Sequence, residues 1–272
     1  MNTVEFRPAA VAGMFYPDDA ATLTREIQAY LEHVESPVSL PQAPKALIVP
    51  HAGYIYSGPI AASAYALLKP WRGVIRRVVL LGPVHRVPVR GLALPGCQGF
   101  ATPLGSVPID QTAVERLHSL RQVTTSVAAH ALEHSLEVQL PFLQVVLGDF
   151  ALVPLAVGDA TPAAVAEVLE TLWGGPETLI VISSDLSHFH RYEQARHIDA
   201  ETCDTIRHLR ANIDHDQACG GTPVNGLMEV ARRRHLIPHL LDLRNSGDTA
   251  GDRHRVVGYA AFAFTEPTAH GH

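Results

Sequence analysis

The chain has 272 residues, a formal net charge of −6, and hydrophobic and charged fractions of 47% and 18%. This composition is typical of a globular protein with a substantial core, and the lack of a lysine or arginine cluster favours neither nucleic acid nor an anionic membrane as a partner. No signal peptide and no apolar run of about 20 residues is visible, and three cysteines without a CxxC pair are typical of a reduced compartment. We therefore expect a cytoplasmic protein.

Predicted helices and strands alternate along the whole chain. Continuous apolar runs indicate strands covered on both faces, which predicts a three-layer α/β/α domain around a mostly parallel or mixed sheet. Without a long linker, we expect one domain over residues 1–272 with a disordered tail from about residue 266. In chain order the predicted elements are a helix through Leu23, Ile27, Leu31 and Val34, a strand at Ala46–Pro50, a helix at Pro59–Leu68, strands at Val78–Gly82, Leu92–Leu94 and Val107–Ile109, helices at Gln111–Leu120 and Ser135–Val146, a strand at Ala151–Val157, a helix from Pro162 to Leu172, a strand at Leu179–Ile182, helices at Gln194–Arg210 and Val224–Arg234, and a strand at Arg255–Phe264.

The strand at Ala151–Val157 contains Pro154, which lacks a backbone N–H. Proline within a sheet is largely confined to edge strands, so this pattern predicts an edge position for that strand.

Three of the predicted strands lead directly into a histidine: His51, His85 and His188. Ligands of open α/β sheets bind outside the carboxyl ends of the strands, where these imidazoles would converge. Neutral imidazole binds zinc, iron and copper and also serves in acid–base catalysis. The alternative is that each histidine caps its strand through a backbone hydrogen bond. We favour the ligand interpretation for His51 and His85.

Cys219 and Asp185 are further candidates. Cys219 directly precedes a predicted helix, whose dipole favours the thiolate that binds metals, although a buried, inert cysteine is the alternative. Asp185 follows the same strand as His188 and could orient a histidine, bind metal or cap the next segment. His188 is then a candidate general base.

The segment His130-Ala-Leu-Glu133-His134 matches the H-x-x-E-H pattern of inverzincin metalloproteases. That mechanism needs both histidines on one helix, whereas Ser135 is placed to cap a helix that begins only after His134. The pattern therefore gives little support to a protease, but we expect Glu133 and His134 to face the pocket.

Together, these segments resemble the Memo family, the B component of the AmmeMemoRadiSam system. The blocks that carry the resemblance are Arg7–Pro17, Pro50–Gly58, Leu81–His85, Glu133–Phe142, Ser183–His188, Cys219–Gly220 and Gly258–Phe264. The family is similar in fold to class III extradiol dioxygenases, which hold non-haem iron through two histidines and a carboxylate. The resemblance also implies a functional association with a radical SAM protein.

Carried over to this chain, the resemblance implies metal ligands at His51 and His85, and Cys219 where the dioxygenases have a carboxylate. It further implies that His188 is the acid–base residue, with Asp185 beside it. Iron(II) is then the expected cofactor, although two imidazoles and a thiolate also suit copper or zinc.

Three functions remain open from the sequence. The first is a metal-dependent, dioxygenase-like oxidoreductase. The second is a non-enzymatic module that binds a peptide or small molecule in a cleft lined by Phe15, Tyr16, Tyr54 and Tyr56. The third is a zinc hydrolase in which His188 shuttles a proton.

Overall fold

The computed structural model describes residues 6–34, 39–40 and 42–267, and within them a nine-stranded sheet is covered by helices. The predicted tail beyond residue 267, with His270 and His272, lies outside the described residues. The helices are α1 (Ala20–Glu32), α2 (Tyr54–Tyr65), α3 (Gln111–Glu115), α4 (Val127–Ala131), α5 (Leu140–Leu147), α6 (Pro162–Thr171), α7 (Tyr192–Arg207) and α8 (Gly221–Arg233). The strands are β1 (Phe6–Arg7), β2 (Ala46–Val49), β3 (Arg77–Pro83), β4 (Leu92–Leu94), β5 (Gly99–Thr102), β6 (Gly105–Pro108), β7 (Val123–Thr125), β8 (Ala151–Val157), β9 (Thr178–Ser183), β10 (His188–His190), β11 (Ile237–Asn245) and β12 (Val256–Thr265).

The central sheet is mixed, with a parallel middle. Its strand order is β10-β12-β2-β9-β3-β8-β4-β7, and β11 also pairs with β12. β2, β9, β3 and β8 run parallel, whereas β12 is antiparallel to β2 and β4 is antiparallel to β8. A small second sheet has the order β1-β5-β6.

Side chains of the middle strands alternate between two hydrophobic clusters. Leu47 of β2 belongs to the cluster that includes residues of α1, α2 and α5, and its neighbour Ile48 belongs to the cluster that includes residues of α6 and α8. Because successive side chains of a strand point to opposite faces, a strand buried on both faces must be apolar throughout. The predicted α/β/α layering is therefore confirmed.

The predicted edge position of the strand at Ala151–Val157 is wrong, because β8 lies between β3 and β4. The N–H of Ala151 donates to the carbonyl of Arg76. Backbone N–H groups point alternately to the two neighbouring strands. The nitrogen of Pro154 therefore faces β4 and not β3. β4 pairs with β8 only at Ala156 and Val157, so no hydrogen bond between these strands is lost at Pro154.

Several other elements differ from prediction. α3 ends at Glu115 rather than Leu120, and α5 begins at Leu140 rather than Ser135 because Glu137–Gln139 form a 3₁₀ turn.

α2 begins at Tyr54 rather than Pro59, which lies inside the helix. Tyr54 is buried and its hydroxyl donates to the carbonyl of Val138, so tertiary contacts hold the extra turn in place. The nine-residue strand β11, which pairs with β12, was not predicted. Within the described ranges no helix has the length and apolarity needed to span a bilayer.

A buried ion pair ties the segment before α1 to the loop before α5. Nη1 of Arg7 lies 2.6 Å from Oε2 of Glu137, and both side chains are almost fully buried. The carboxylate of Glu137 also accepts hydrogen bonds from the N–H groups of Ala10 and Val11 and from the hydroxyl of Tyr16. These contacts bring the N-terminal segment against the part of the chain that carries His134.

Glu137→Gln should leave the buried guanidinium of Arg7 without its counter-charge, and breaking a buried ion pair on one side costs about 3–5 kcal/mol. We expect the free energy of unfolding in urea to fall by about this amount. Arg7→Met should lower the free energy of unfolding by a comparable amount. The double variant Arg7→Met/Glu137→Met should lower it by less than the sum of the two single losses, because neither charge is then buried without its partner. Strict additivity would show that the two charges do not interact.

Candidate metal centre

Three neighbouring strands end together at the candidate site. β9 lies between β2 and β3 and is parallel to both, so their carboxyl ends share one edge of the sheet. His51 follows β2, His85 follows β3, and Ser183 ends β9. The rings of His51 and His85 are 5.3 Å apart between centroids. The structure therefore brings together two of the three histidines that the strand pattern singled out, and among the described residues His188 is not part of this group.

His134 joins these two histidines from the loop between α4 and α5. Ligand atoms of His51, His85 and His134 lie within 4.8 Å of one another, and the rings of His85 and His134 stack at 4.6 Å. Neutral imidazoles in such a group suit zinc, copper or iron. The sequence predicts His134 in the pocket but not among the ligand candidates. The adjacent Glu133 is the signal that could have found it.

His51 is buried and held on two sides. Its Nδ1 lies 2.9 Å from Oγ of Ser183, and its backbone N–H donates to Oδ1 of Asp185 at 2.7 Å. Burial, followed by the nearby imidazoles of His85 and His134, lowers the pKa of His51 well below its usual range. The ring is therefore neutral, which is the form that binds a metal.

Glu133 holds His85 and the loop of His134. Its carboxylate accepts hydrogen bonds from the backbone N–H of His85 at 2.6 Å and from Nδ1 of the same ring at 2.8 Å. It also accepts from the N–H groups of His134 and Ser135. Burial opposes ionisation, but the hydrogen bonds and charge of His85 outweigh it and lower the pKa of Glu133 to about 2. Because a carboxylate only accepts, Nδ1 of His85 carries a hydrogen, so Nε2 is the only ring nitrogen that can bind a metal.

Cys219 lies directly before the N-cap of α8, and its Sγ is 3.3 Å from Nε2 of His51. The expectation that the helix dipole favours a thiolate is wrong. Burial, and then the carboxylate of Asp185, raise the pKa of Cys219 to about 12. Desolvation and a neighbouring negative charge outweigh the dipole, so the thiol keeps its proton at neutral pH.

Asp185 contacts His51 rather than His188. Its Oδ2 lies 3.9 Å from Nε2 of His51, and burial raises the pKa of its carboxyl group. Within residues 6–34, 39–40 and 42–267, no hydrogen bond joins Asp185 to His188. His188 is the first residue of β10 and is half-buried. The next residue, Phe189, has a φ of 63°, in the left-handed region. That Asp185 orients the ring of a histidine stays a prediction.

The four aromatic pocket candidates divide into two groups. The hydroxyl of Tyr16 donates to Glu137 and that of Tyr54 to a backbone carbonyl, so both are committed inside the core. Phe15 packs on the ring of His134 at 4.8 Å between centroids, and Tyr56 is 39% exposed. Phe15 therefore contacts the histidine cluster.

The H-x-x-E-H segment does not form a single helix. α4 ends at Ala131, before Glu133 and His134. His130 is buried elsewhere, with Nε2 2.7 Å from the carbonyl of Ala93. The two histidines of the pattern cannot share an ion in the way the protease mechanism requires. The predicted capping role of Ser135 is wrong, because α5 begins only at Leu140 and the hydroxyl of Ser135 donates to the carbonyl of Pro83.

A cavity of about 460 Å³ opens onto the cluster, with His85 and Cys219 in its lining. Its other walls combine apolar side chains, among them Pro83 and Val157, with the polar Thr222. A small molecule can therefore approach one imidazole and the thiol from the same side.

We expect Glu133→Gln to weaken zinc binding about 10–100-fold, as loss of a partner that orients a ligand does. The amide has one acceptor oxygen for the four donors that surround the carboxylate. Competition with a chromophoric chelator measures the affinity. Glu193→Gln, at a side chain that is 79% exposed, serves as the matched control and should bind as the parent does. Equal affinities for the two variants would refute an orienting role for Glu133.

Comparison with known proteins identifies relatives over nearly the full length of the chain. The family model described as Memo-like protein matches residues 7–263. Relatives named MEMO1 family protein are 37% identical in Ignicoccus hospitalis, 33% in Metallosphaera sedula and 34% in Methanobrevibacter smithii. These matches cover 96%, 96% and 95% of this chain and 99% of each relative. A solved structure of an uncharacterized protein from Escherichia coli K12 is similar over 79% of this chain and 98% of that chain. Its TM-score is 0.49 and its sequence identity 16%, which is too low to support an argument.

Proposed function

Since this chain belongs to the Memo-like protein family, we propose that it is a metal-dependent oxidoreductase whose strand-end site holds non-haem iron(II). The observation that carries the proposal is the convergence of three imidazoles and a thiol beside a cavity. Imidazole suits iron, copper and zinc alike, and two histidines with one anionic donor form the ligand set of many ferrous oxygenases.

We assign His51, His85 and Cys219 as the ligands. Two donors about 2.1 and 2.3 Å from a shared ion stand roughly 3–4 Å apart, and the contact of 3.3 Å between Cys219 and His51 is in this range. His134 is the rival for the third position, because its ligand atom lies within 4.8 Å of those of the other two histidines. In this proposal His134 supports the ring of His85 by stacking.

When bound, iron supplies redox chemistry with oxygen and open coordination positions. The chain contributes the rest. Glu133 and Ser183 hold the rings of His85 and His51, and the cavity admits a small substrate beside Cys219. His188 holds or moves a proton at its half-buried imidazole.

Elemental analysis tests the metal. Untagged protein purified without oxygen should contain one iron per chain, and His51→Ala and His85→Ala should each lose it. His197→Ala is the control, because this side chain is 77% exposed and remote from the strand ends. A chain that neither holds nor takes up iron, copper or zinc would refute a metal site. A chain that holds only zinc and consumes no oxygen would contradict the oxidoreductase proposal and favour a zinc hydrolase.

Cobalt substitution tests the third ligand. A thiolate bound to Co²⁺ gives a charge-transfer absorption that imidazoles do not give. We expect this band in the parent chain and in His134→Ala, and its loss in Cys219→Ser. A band that disappears in His134→Ala but survives in Cys219→Ser would contradict the assignment of Cys219.

A further inference from the structure

We propose that Ser183, held by Gln139 and through it by Tyr65, determines which nitrogen of His51 is bare, so that these three residues position the ligand from inside the core. The use of this arrangement for metal binding rests on the proposed function. The hydrogen bonds from which we infer the tautomer do not depend on it. The relay is the hydrogen-bonded series Tyr65–Gln139–Ser183–His51.

The amide of Gln139 can be oriented in only one way. Its Nε2 lies 2.9 Å from the carbonyl oxygen of Pro50, which can only accept, so that atom must be the nitrogen. The second hydrogen on Nε2 is donated to Oγ of Ser183 at 2.8 Å. On the other side, the hydroxyl of Tyr65 donates to Oε1 at 2.7 Å. Tyr65 thus satisfies the oxygen of an amide whose nitrogen is fully used.

The hydroxyl of Ser183 has one proton and two lone pairs, and all three are assigned. Its Oγ lies 2.6 Å from the carbonyl oxygen of Ser135, and two oxygens approach this closely only with a proton between them. Ser183 therefore donates to Ser135 and accepts from Gln139. The remaining lone pair faces Nδ1 of His51 at 2.9 Å, so Nδ1 must carry a hydrogen.

A neutral imidazole has one N–H, so a hydrogen on Nδ1 leaves Nε2 bare. Nε2 is the atom that faces Sγ of Cys219 at 3.3 Å. At His85 the acceptor of the Nδ1 hydrogen is instead the charged carboxylate of Glu133. Both histidines therefore have Nδ1 bound to an acceptor and Nε2 left for a metal. The acceptor is the carboxylate of Glu133 at His85 and the neutral hydroxyl of Ser183 at His51.

Burial makes the relay effective. Tyr65, Gln139, Ser183 and His51 are each at most 2% exposed, so no bulk water competes for their donors and acceptors. Hydrogen-bond networks that are buried and fully satisfied hold a single arrangement, whereas a missing partner in such a network is costly.

Nitrogen NMR of metal-free protein labelled with ¹⁵N-histidine tests the inference directly. In the parent chain we expect His51 to be protonated at Nδ1 and bare at Nε2. Ser183→Ala should move the proton to Nε2, and Ser183→Thr, which keeps a hydroxyl, should restore it. Ser63→Ala is the matched control, because its hydroxyl bonds to Asp242 and not to a histidine. Protonation at Nε2 in the parent chain would overturn the proposal without any variant, even if Ser183→Ala failed to fold.

Zinc affinity, measured by chelator competition, is the second readout. We expect Ser183→Ala to bind about 10–100-fold more weakly than the parent and Ser63→Ala to bind as the parent does. Tyr65→Phe should weaken binding in the same direction but less, because it removes only the outermost donor. An unchanged affinity in Tyr65→Phe would remove this residue from the relay. If the parent shows the expected tautomer but takes up no metal, the proposed function fails and the relay stands.

Discussion

The histidine cluster at the strand ends depends above all on a buried carboxylate that accepts four hydrogen bonds. Glu133 receives the backbone and ring N–H of His85 and the backbone N–H groups of His134 and Ser135. One charged group therefore fixes the end of a strand, the orientation of a ring and the start of the next loop. Because an ionised acceptor cannot donate, it also determines which nitrogen of His85 is free. The position of His134 follows from the same contact.

Much of the fold was predictable, because strand burial leaves a clear pattern. The apolar runs of β2, β3 and β9 must be covered on both faces, and they lead into His51, His85 and Asp185 as expected. Residues whose placement depends on partners distant in sequence were not predictable. β11 forms against β12, and α2 extends back to Tyr54 through a contact with the loop before α5.

The candidate site divides in the same way. The strand ends were visible in the sequence, and their convergence is a consequence of parallel pairing. The position of His134 depends on how the carboxylate of Glu133 folds the loop back onto His85, which no spacing pattern reports. The protonated state of Cys219 is also a tertiary property, since burial and Asp185 overcome the local effect of α8. Local rules predicted that His51 and His85 meet, but not that His134 joins them or that the thiol of Cys219 keeps its proton.

The ion pair of Arg7 and Glu137 has a consequence for local motion. Ala10 and Val11 lie outside regular secondary structure, yet their N–H groups donate to a carboxylate that is fully buried. Such amides exchange with solvent only when the structure around them opens. The irregular segment that leads to Phe15 therefore behaves as part of the rigid core, and in deuterium its amide protons should persist as long as those of the central strands.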